Sequence, residues 1–237
     1  LWAASKPAGL FHPYVVAKGI DAAGLRVAPA GMALGPRGIQ PVPEGALVVP
    51  LRLRPGGPVV NAQTIGADGS KRPVFGAVKI GAHCVLGEIE DGKPVAFAEG
   101  LAAAKSFHKA TGIATVMCLD SGNLLPVAKA YRELHPDAEF MVAADNDAHL
   151  PLREGHRKQA NEGLTKAVAV ADEVGATVLL PPEIEERTAA DKGTDWNDWR
   201  VARGLEAVRE AVEELLEARE LPRRPPGRER PGQGLEL

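Results

Sequence analysis

Between residues 94 and 180, short apolar runs alternate with helix-length segments, and this rhythm limits the possible folds more than any other feature of the chain. The apolar runs are 94–98, 114–119, 139–144 and 176–180; helical spacing fills 101–111, 124–135 and 161–174. Consecutive strands joined by helical crossovers lie parallel. The spacing therefore predicts an α/β unit, a parallel sheet with helices on both faces. Helical patterns resume near Trp196 and run from Leu205 to Arg219.

The first 93 residues read differently. Segments 46–53, 58–65, 71–75 and 84–89 have strand character, a tight turn falls at 67–70, and 12–20 is a short helical lead-in. The expected organisation is a small basic α+β subdomain over 1–93, the parallel-sheet domain over 94–204, a helix over 205–220, and a tail over 221–237. The tail is rich in Pro, Arg and Gly, cannot bury a core and is expected to be disordered. Because the chain opens at Leu1 without a methionine, it is expected to be a piece of a longer protein.

The formal charge of −3 over 237 residues conceals an asymmetry. Residues 1–87 hold nine Lys/Arg against three Asp/Glu, a surplus of six, which leaves −9 for the remainder. A basic half beside an acidic half suits a protein that holds a polyanion and binds cations. No apolar run approaches the ~18 residues of a membrane helix, and no cleavable signal is present. Cys84 and Cys118 are far apart with no CxxC pairing. They match neither a disulfide framework nor a zinc ribbon, and a reducing cytoplasm is the expected location.

In open parallel sheets, ligands bind at the carboxyl ends of the strands. An acid follows every predicted strand here: Glu99, then Asp120, then Asp145 and Asp147, and after a loop Asp195 and Asp198. Carboxylates gathered at one end repel one another unless a cation lies between them. Magnesium is commonly held by one or two carboxylates plus substrate phosphates. Each element alone has a plain structural reading. Glu99 suits a helix start, Asp-x-Asp suits a loop, Asp195 could cap the helix at Trp196, and Asn123 could cap the next one. The four in order, each at a strand end, point to a metal site.

At these residues the chain resembles a known family. Val95-Ala-Phe-Ala-Glu-Gly-Leu-Ala-Ala-Ala104 and Met141-Val-Ala-Ala-Asp-Asn-Asp147 resemble the Toprim (topoisomerase–primase) domain, with its glutamate after the first strand and Asp-x-Asp after the third. The flanks 12–19, 49–51, 61–65, 68–72, 122–124 and Gly193-Thr-Asp-Trp-Asn-Asp198 are similar to DNA primases of plasmids, phages and integrative elements. The resemblance covers roughly residues 10–205 and implies a catalytic core that makes short RNA primers on single-stranded DNA from ribonucleoside triphosphates. It implies Mg2+ or Mn2+, two ions, with Glu99, Asp145 and Asp147 as catalytic and metal-binding residues and Asp195 and Asp198 at a second metal position. Lys71, Arg72, Lys79 and Asn123 would contact template or nucleotide. Lys71 and Arg72 would face the acids together across a cleft. A replicative helicase outside these residues is the expected partner, since no GxxxxGK[ST] loop occurs.

Two other functions share these motifs. A Toprim nuclease or topoisomerase would use the same acids, the latter with a tyrosine nucleophile, and only Tyr14 and Tyr131 exist. A non-catalytic Toprim module would bind DNA without needing Glu99, Asp145 and Asp147 intact.

Overall fold

The computed structural model describes residues 1–35, 38, 40–148, 161–184 and 194–220. Gly193 and the tail over 221–237 lie outside the described residues. In chain order the elements are β1 (Lys6–Pro7), α1 (Pro13–Lys18), β2 (Arg26–Val27), β3 (Ala33–Leu34), β4 (Gln40–Pro41), β5 (Leu47–Leu51), β6 (Asn61–Ile65), β7 (Lys71–Pro73) and β8 (Cys84–Leu86). They continue with β9 (Val95–Ala98), α2 (Leu101–Thr111), β10 (Ala114–Met117), α3 (Ser121–Leu134), β11 (Phe140–Ala143), α4 (Glu162–Val174), β12 (Ala176–Leu179), α5 (Trp196–Arg203) and α6 (Leu205–Glu220).

The first sheet is antiparallel, in the order β1-β2-β5-β6-β7, with β3 and β4 pairing separately. The second runs β12-β11-β9-β10-β8; its first four strands are parallel, as the alternation predicts. Successive strand residues face opposite sides, and that alternation divides the core. Val95, Phe97, Val116, Phe140 and Val142 pack with Leu124, Val127 and Tyr131 of α3 and Ala167 and Val170 of α4. On the other face, Ala96, Ala98, Met117, Met141 and Ala143 pack with Leu101 and Phe107 of α2, Trp196 of α5 and Val208 of α6. Leu47, Val49, Leu51 and Ile65 of the first sheet join this second cluster, so the two sheets share one core. That shared core fixes the cleft between them.

Two expectations are corrected. Strand β8, expected in the first subdomain, pairs antiparallel with β10 and forms an edge of the second sheet, where it covers backbone groups that would otherwise be unpaired. A bridge between Arg52 and His83 then ties the two sheets together. Helix α3, expected from Leu124, begins at Ser121 with Asp120 at its N-cap, so Asn123 lies inside the helix rather than capping it. Among the described residues, no helix is long and apolar enough to cross a membrane.

Candidate functional site

In the second sheet the chain leaves β9 towards β10, then crosses to the other side of β9 for β11 and β12. The strand order therefore reverses between β9 and β11, and a ligand crevice opens at such a switch point. Glu99 follows β9 and Asp145 follows β11, one on each side of it. Between Asp145 and Asp147, Asn146 turns inward and is buried. Its backbone N–H donates to the Thr194 carbonyl at 2.7 Å and its carbonyl accepts from Thr194 at 3.0 Å. Its side-chain NH2 donates to the Pro181 carbonyl, while its Oδ1 accepts from Asn161 Nδ2. With the middle residue anchored, the flanking aspartates line the pocket. Asn161 adopts the left-handed region (φ 55°), caps α4 by accepting from Leu164 N–H, and also accepts from Asp147 N–H at 2.9 Å. Gly163 follows because a Cβ there would lie 2.5 Å from the Asp145 carbonyl oxygen.

The Thr194–Asp198 motif divides its labour along the first turn of α5. Asp195 caps the helix, its Oδ1 accepting from the N–H groups of Asn197 (2.7 Å) and Asp198 (2.8 Å), and Asp198 answers by accepting from Asp195 N–H. Trp196 is fully buried and donates its indole N–H to the Leu179 carbonyl. Asn197 is equally buried and donates to the Lys18 carbonyl at 2.8 Å, which ties the end of α1 to α5. Lys18 in turn faces Asp198 at 3.5 Å.

The resulting cavity, about 430 Å³, is lined by Tyr14, Lys18, Lys71, Asp145, Asp147, Asp195 and Asp198 among others. Burial, then the charges of Asp147, Asp120 and Glu162, push the Glu99 carboxyl up to about 7. Burial and the neighbouring charges of Glu99, Asp195 and Asp147 raise Asp145 well above the carboxylate range, against the pull of Lys71. Asp195 is raised by burial and by Asp198. Asp145 Oδ1 is buried without a hydrogen-bond partner. Crowded carboxylates, one with an orphaned oxygen, form a donor set that fits a hard divalent cation. Among the described residues, however, no three His, Cys, Asp or Glu side chains close on a single coordination point. Asp145, Asp147, Asp195 and Asp198 line the cavity rather than clasping its centre, while Glu99 is absent from the lining and meets the cluster through its charge interactions with Asp145 and Asp147.

The other expected contacts separate. Lys71 reaches the pocket, its Nζ lying 3.4 Å from where a Cβ on Gly100 would be. Adjacent strand residues alternate faces, and Arg72, paired with Thr64 on β6, is exposed and absent from the pocket lining. Of the two residues expected to face the acids together, Lys71 lines the cavity and Arg72 does not. Lys79 makes a half-exposed ion pair with Asp120 at 2.8 Å. Asn123 is fully buried; its Nδ2 donates to the carbonyls of Ala82 and Cys118 and its Oδ1 accepts from Gly81 N–H. It holds the 79–82 loop rather than facing the cavity. Tyr131 is buried and hydrogen-bonded to His83.

Sequence reasoning passed over Lys18, Asn146, Asn161 and Asn197, and weighed Tyr14 only as a topoisomerase nucleophile. The i, i+4 spacing of Tyr14 and Lys18 was the one available signal, since it puts both on the same helix face. A larger cavity, about 840 Å³, lies elsewhere, lined by Trp2, Arg52, Cys84, Lys105 and His108 among others. The Lys105 ammonium there is satisfied by Asp21 and the Ala23 carbonyl. The chemistry gathers in the smaller, acidic cavity.

No protein-family model matches the chain. It is homologous to the DNA primase TraC of Escherichia coli, with 36% identity over 122 residues, or 50% of this chain and 8% of that protein. The chain thus spans less than a tenth of that relative. Among solved structures, it superposes on the primase fragment of the bacteriophage T7 primase-helicase protein with a TM-score of 0.54 and 14% identity, covering 85% of this chain and 72% of the fragment. The Aquifex aeolicus primase (zinc-binding and RNA polymerase domains) gives 0.56 and 16% identity over 85% and 54% of the two chains. At these identities the structural likeness is one of fold.

Proposed function

We propose that this chain is a Toprim-type primase core of the kind carried by plasmids, phages and integrative elements, which joins ribonucleotides into short primers on single-stranded DNA. The observation that carries the reading is the orphaned Asp145 Oδ1 within a ring of carboxylates at the β9/β11 switch point. The homology to a DNA primase over half the chain supports it. In this reading Glu99, Asp145 and Asp147 hold divalent cations, Mg2+ or Mn2+, and Asp195 and Asp198 contribute to a second position. When bound, those ions would supply charge stabilisation to the attacking and leaving oxygens.

The 3′ hydroxyl of one nucleotide attacks the α-phosphorus of the next, a phosphodiester forms, and pyrophosphate leaves. As an alternative to its role as a ligand, Glu99 accepts the hydroxyl proton. Lys71, above the start of α2, neutralises phosphate charge beside the acids. Asn146, Asn161 and Asn123 position the acid-bearing loops and the 79–82 loop. Arg72 and Lys79 meet the template phosphates outside the cavity. The Tyr131 hydroxyl, buried, hydrogen-bonded to His83 and outside the cavity lining, disfavours that residue as a topoisomerase nucleophile. A helicase supplied outside these residues and a cytoplasmic setting complete the proposal.

The test is dinucleotide formation from labelled nucleotide on single-stranded template with manganese. Glu99→Gln and Asp145→Asn should each lower the rate at least about 100-fold while keeping a folded far-ultraviolet spectrum. Wild-type product from either variant would overturn the metal-site reading.

A further inference from the structure

Tyr14 is 3% exposed, lines the acidic cavity, and has a hydroxyl with no hydrogen-bond partner. A buried hydroxyl left unpaired costs stability, so its persistence at the wall of a polar cavity calls for a ligand. A phenol carries its proton at neutral pH and is a hydrogen-bond donor. It therefore has a hydrogen to give.

Lys18 stands one helical turn further along α1 and lines the same cavity. Both ends of this short helix are secured. At the start, His12 Nδ1 accepts from Tyr14 N–H, and His12 Nε2 meets the Gly45 carbonyl at 2.8 Å. At the end, the Lys18 carbonyl accepts from Asn197 Nδ2 at 2.8 Å and Arg200 Nη2 at 2.6 Å. Gly19 is left-handed (φ 58°) and pressed so close to Arg200 that a Cβ would lie 2.6 Å from Nη2. The phenol and the ammonium are thus held on one wall of the cavity, with Asp145 and Asp147 also lining it.

We propose that Tyr14 and Lys18 hold the β- and γ-phosphates of the incoming nucleoside triphosphate, beside the metal-binding acids that line the same cavity and with Lys18 also paired to Asp198. This inference rests on the nucleotidyl-transfer reading of the pocket and identifies the residues that grip its leaving group. An ammonium and a neutral phenol are both hydrogen-bond donors, and polyphosphate oxygens are acceptors only. The site therefore recognises the polyphosphate rather than the base.

The test measures binding of Mg·ATP and of magnesium tripolyphosphate to the full 237-residue chain by calorimetry, for wild type, Tyr14→Phe and Lys18→Ala. Each variant should lose about tenfold in affinity for both probes, with manganese binding retained. The unliganded melting temperature of Tyr14→Phe should hold or rise, because an unpaired hydroxyl has been removed. If Tyr14→Phe instead melts early, Lys18→Ala decides. Unchanged affinity in Lys18→Ala, a wild type that binds neither probe, or weakening with ATP but not tripolyphosphate would each overturn the assignment. A chain that binds both probes through Tyr14 and Lys18 yet makes no dinucleotide would overturn the primase reading and leave this one standing.

Discussion

Glu99 carries its charge at a cost the rest of the chain imposes. Burial comes first, then Asp147, Asp120 and Glu162, and together they move its carboxyl from 4.5 to about 7. Between those values the folded chain keeps a proton that the unfolded chain has released. Stability without metal therefore falls as pH rises through that window, and the full penalty is present above it. Glu99→Gln cannot lose that proton. In chelator, its melting temperature should match wild type near pH 4.5 and exceed it by a few degrees at about pH 8. A variant less stable than wild type at the higher pH would remove Glu99 from the strained cluster. The identity of these acids was legible in the sequence, because an acid after every strand is a chemical pattern. The surroundings of each were not. Asn123 looks like a cap or a contact in one dimension, but is a buried tie making three hydrogen bonds.

Elements place what residues offer. Helix α4 begins so close to the β11 loop that Gly163 has no room for a side chain; an added Cβ would meet the Asp145 carbonyl at 2.5 Å and its Cβ at 3.0 Å. Gly163→Ala should therefore fold, helped by helix propensity, yet displace Asp145. A misplacement near 1 Å is enough to lower the joining rate about 100-fold. Unimpaired joining would mean that the loop yields without moving its carboxylate. Helix α3 makes the complementary case. Asn123→Ala strips partners from Gly81 N–H and two buried carbonyls, so urea unfolding should show a loss of about 3 kcal/mol. A variant of normal stability with a raised nucleotide KM would restore Asn123 as a ligand contact. The helices and the longer strands were legible from periodicity, whereas the two-residue strands β1 to β4 were not. The membership of β8 was not, because a short three-residue run carries no mark of which sheet it will join.

Across the whole molecule, the positive first part and the acidic remainder meet at the cavity. The division is finer than charge counting implied. On β7, Lys71 lines the acidic cavity and the adjacent Arg72 does not. Arg72→Ala should reduce the log–log salt slope of single-stranded DNA binding by about one and leave nucleotide affinity intact. Lys71→Ala should do the reverse, weakening Mg·ATP. Fluorescence titrations at several salt concentrations, with nucleotide binding measured separately, check both. Equal effects of the two variants on both ligands would mean that strand alternation does not separate their roles. The sequence by itself determined the α/β class, the positions of the helices and the set of acids at strand ends, because these follow from local periodicity and from which residue follows each strand. Only the tertiary structure decided that Tyr14 and Lys18 belong to the cavity, that Arg72 does not, and that Asn123, Asn146 and Asn197 are structural ties. Those outcomes depend on side-chain direction and on partners up to 182 positions away, and such distances leave no trace in a local pattern.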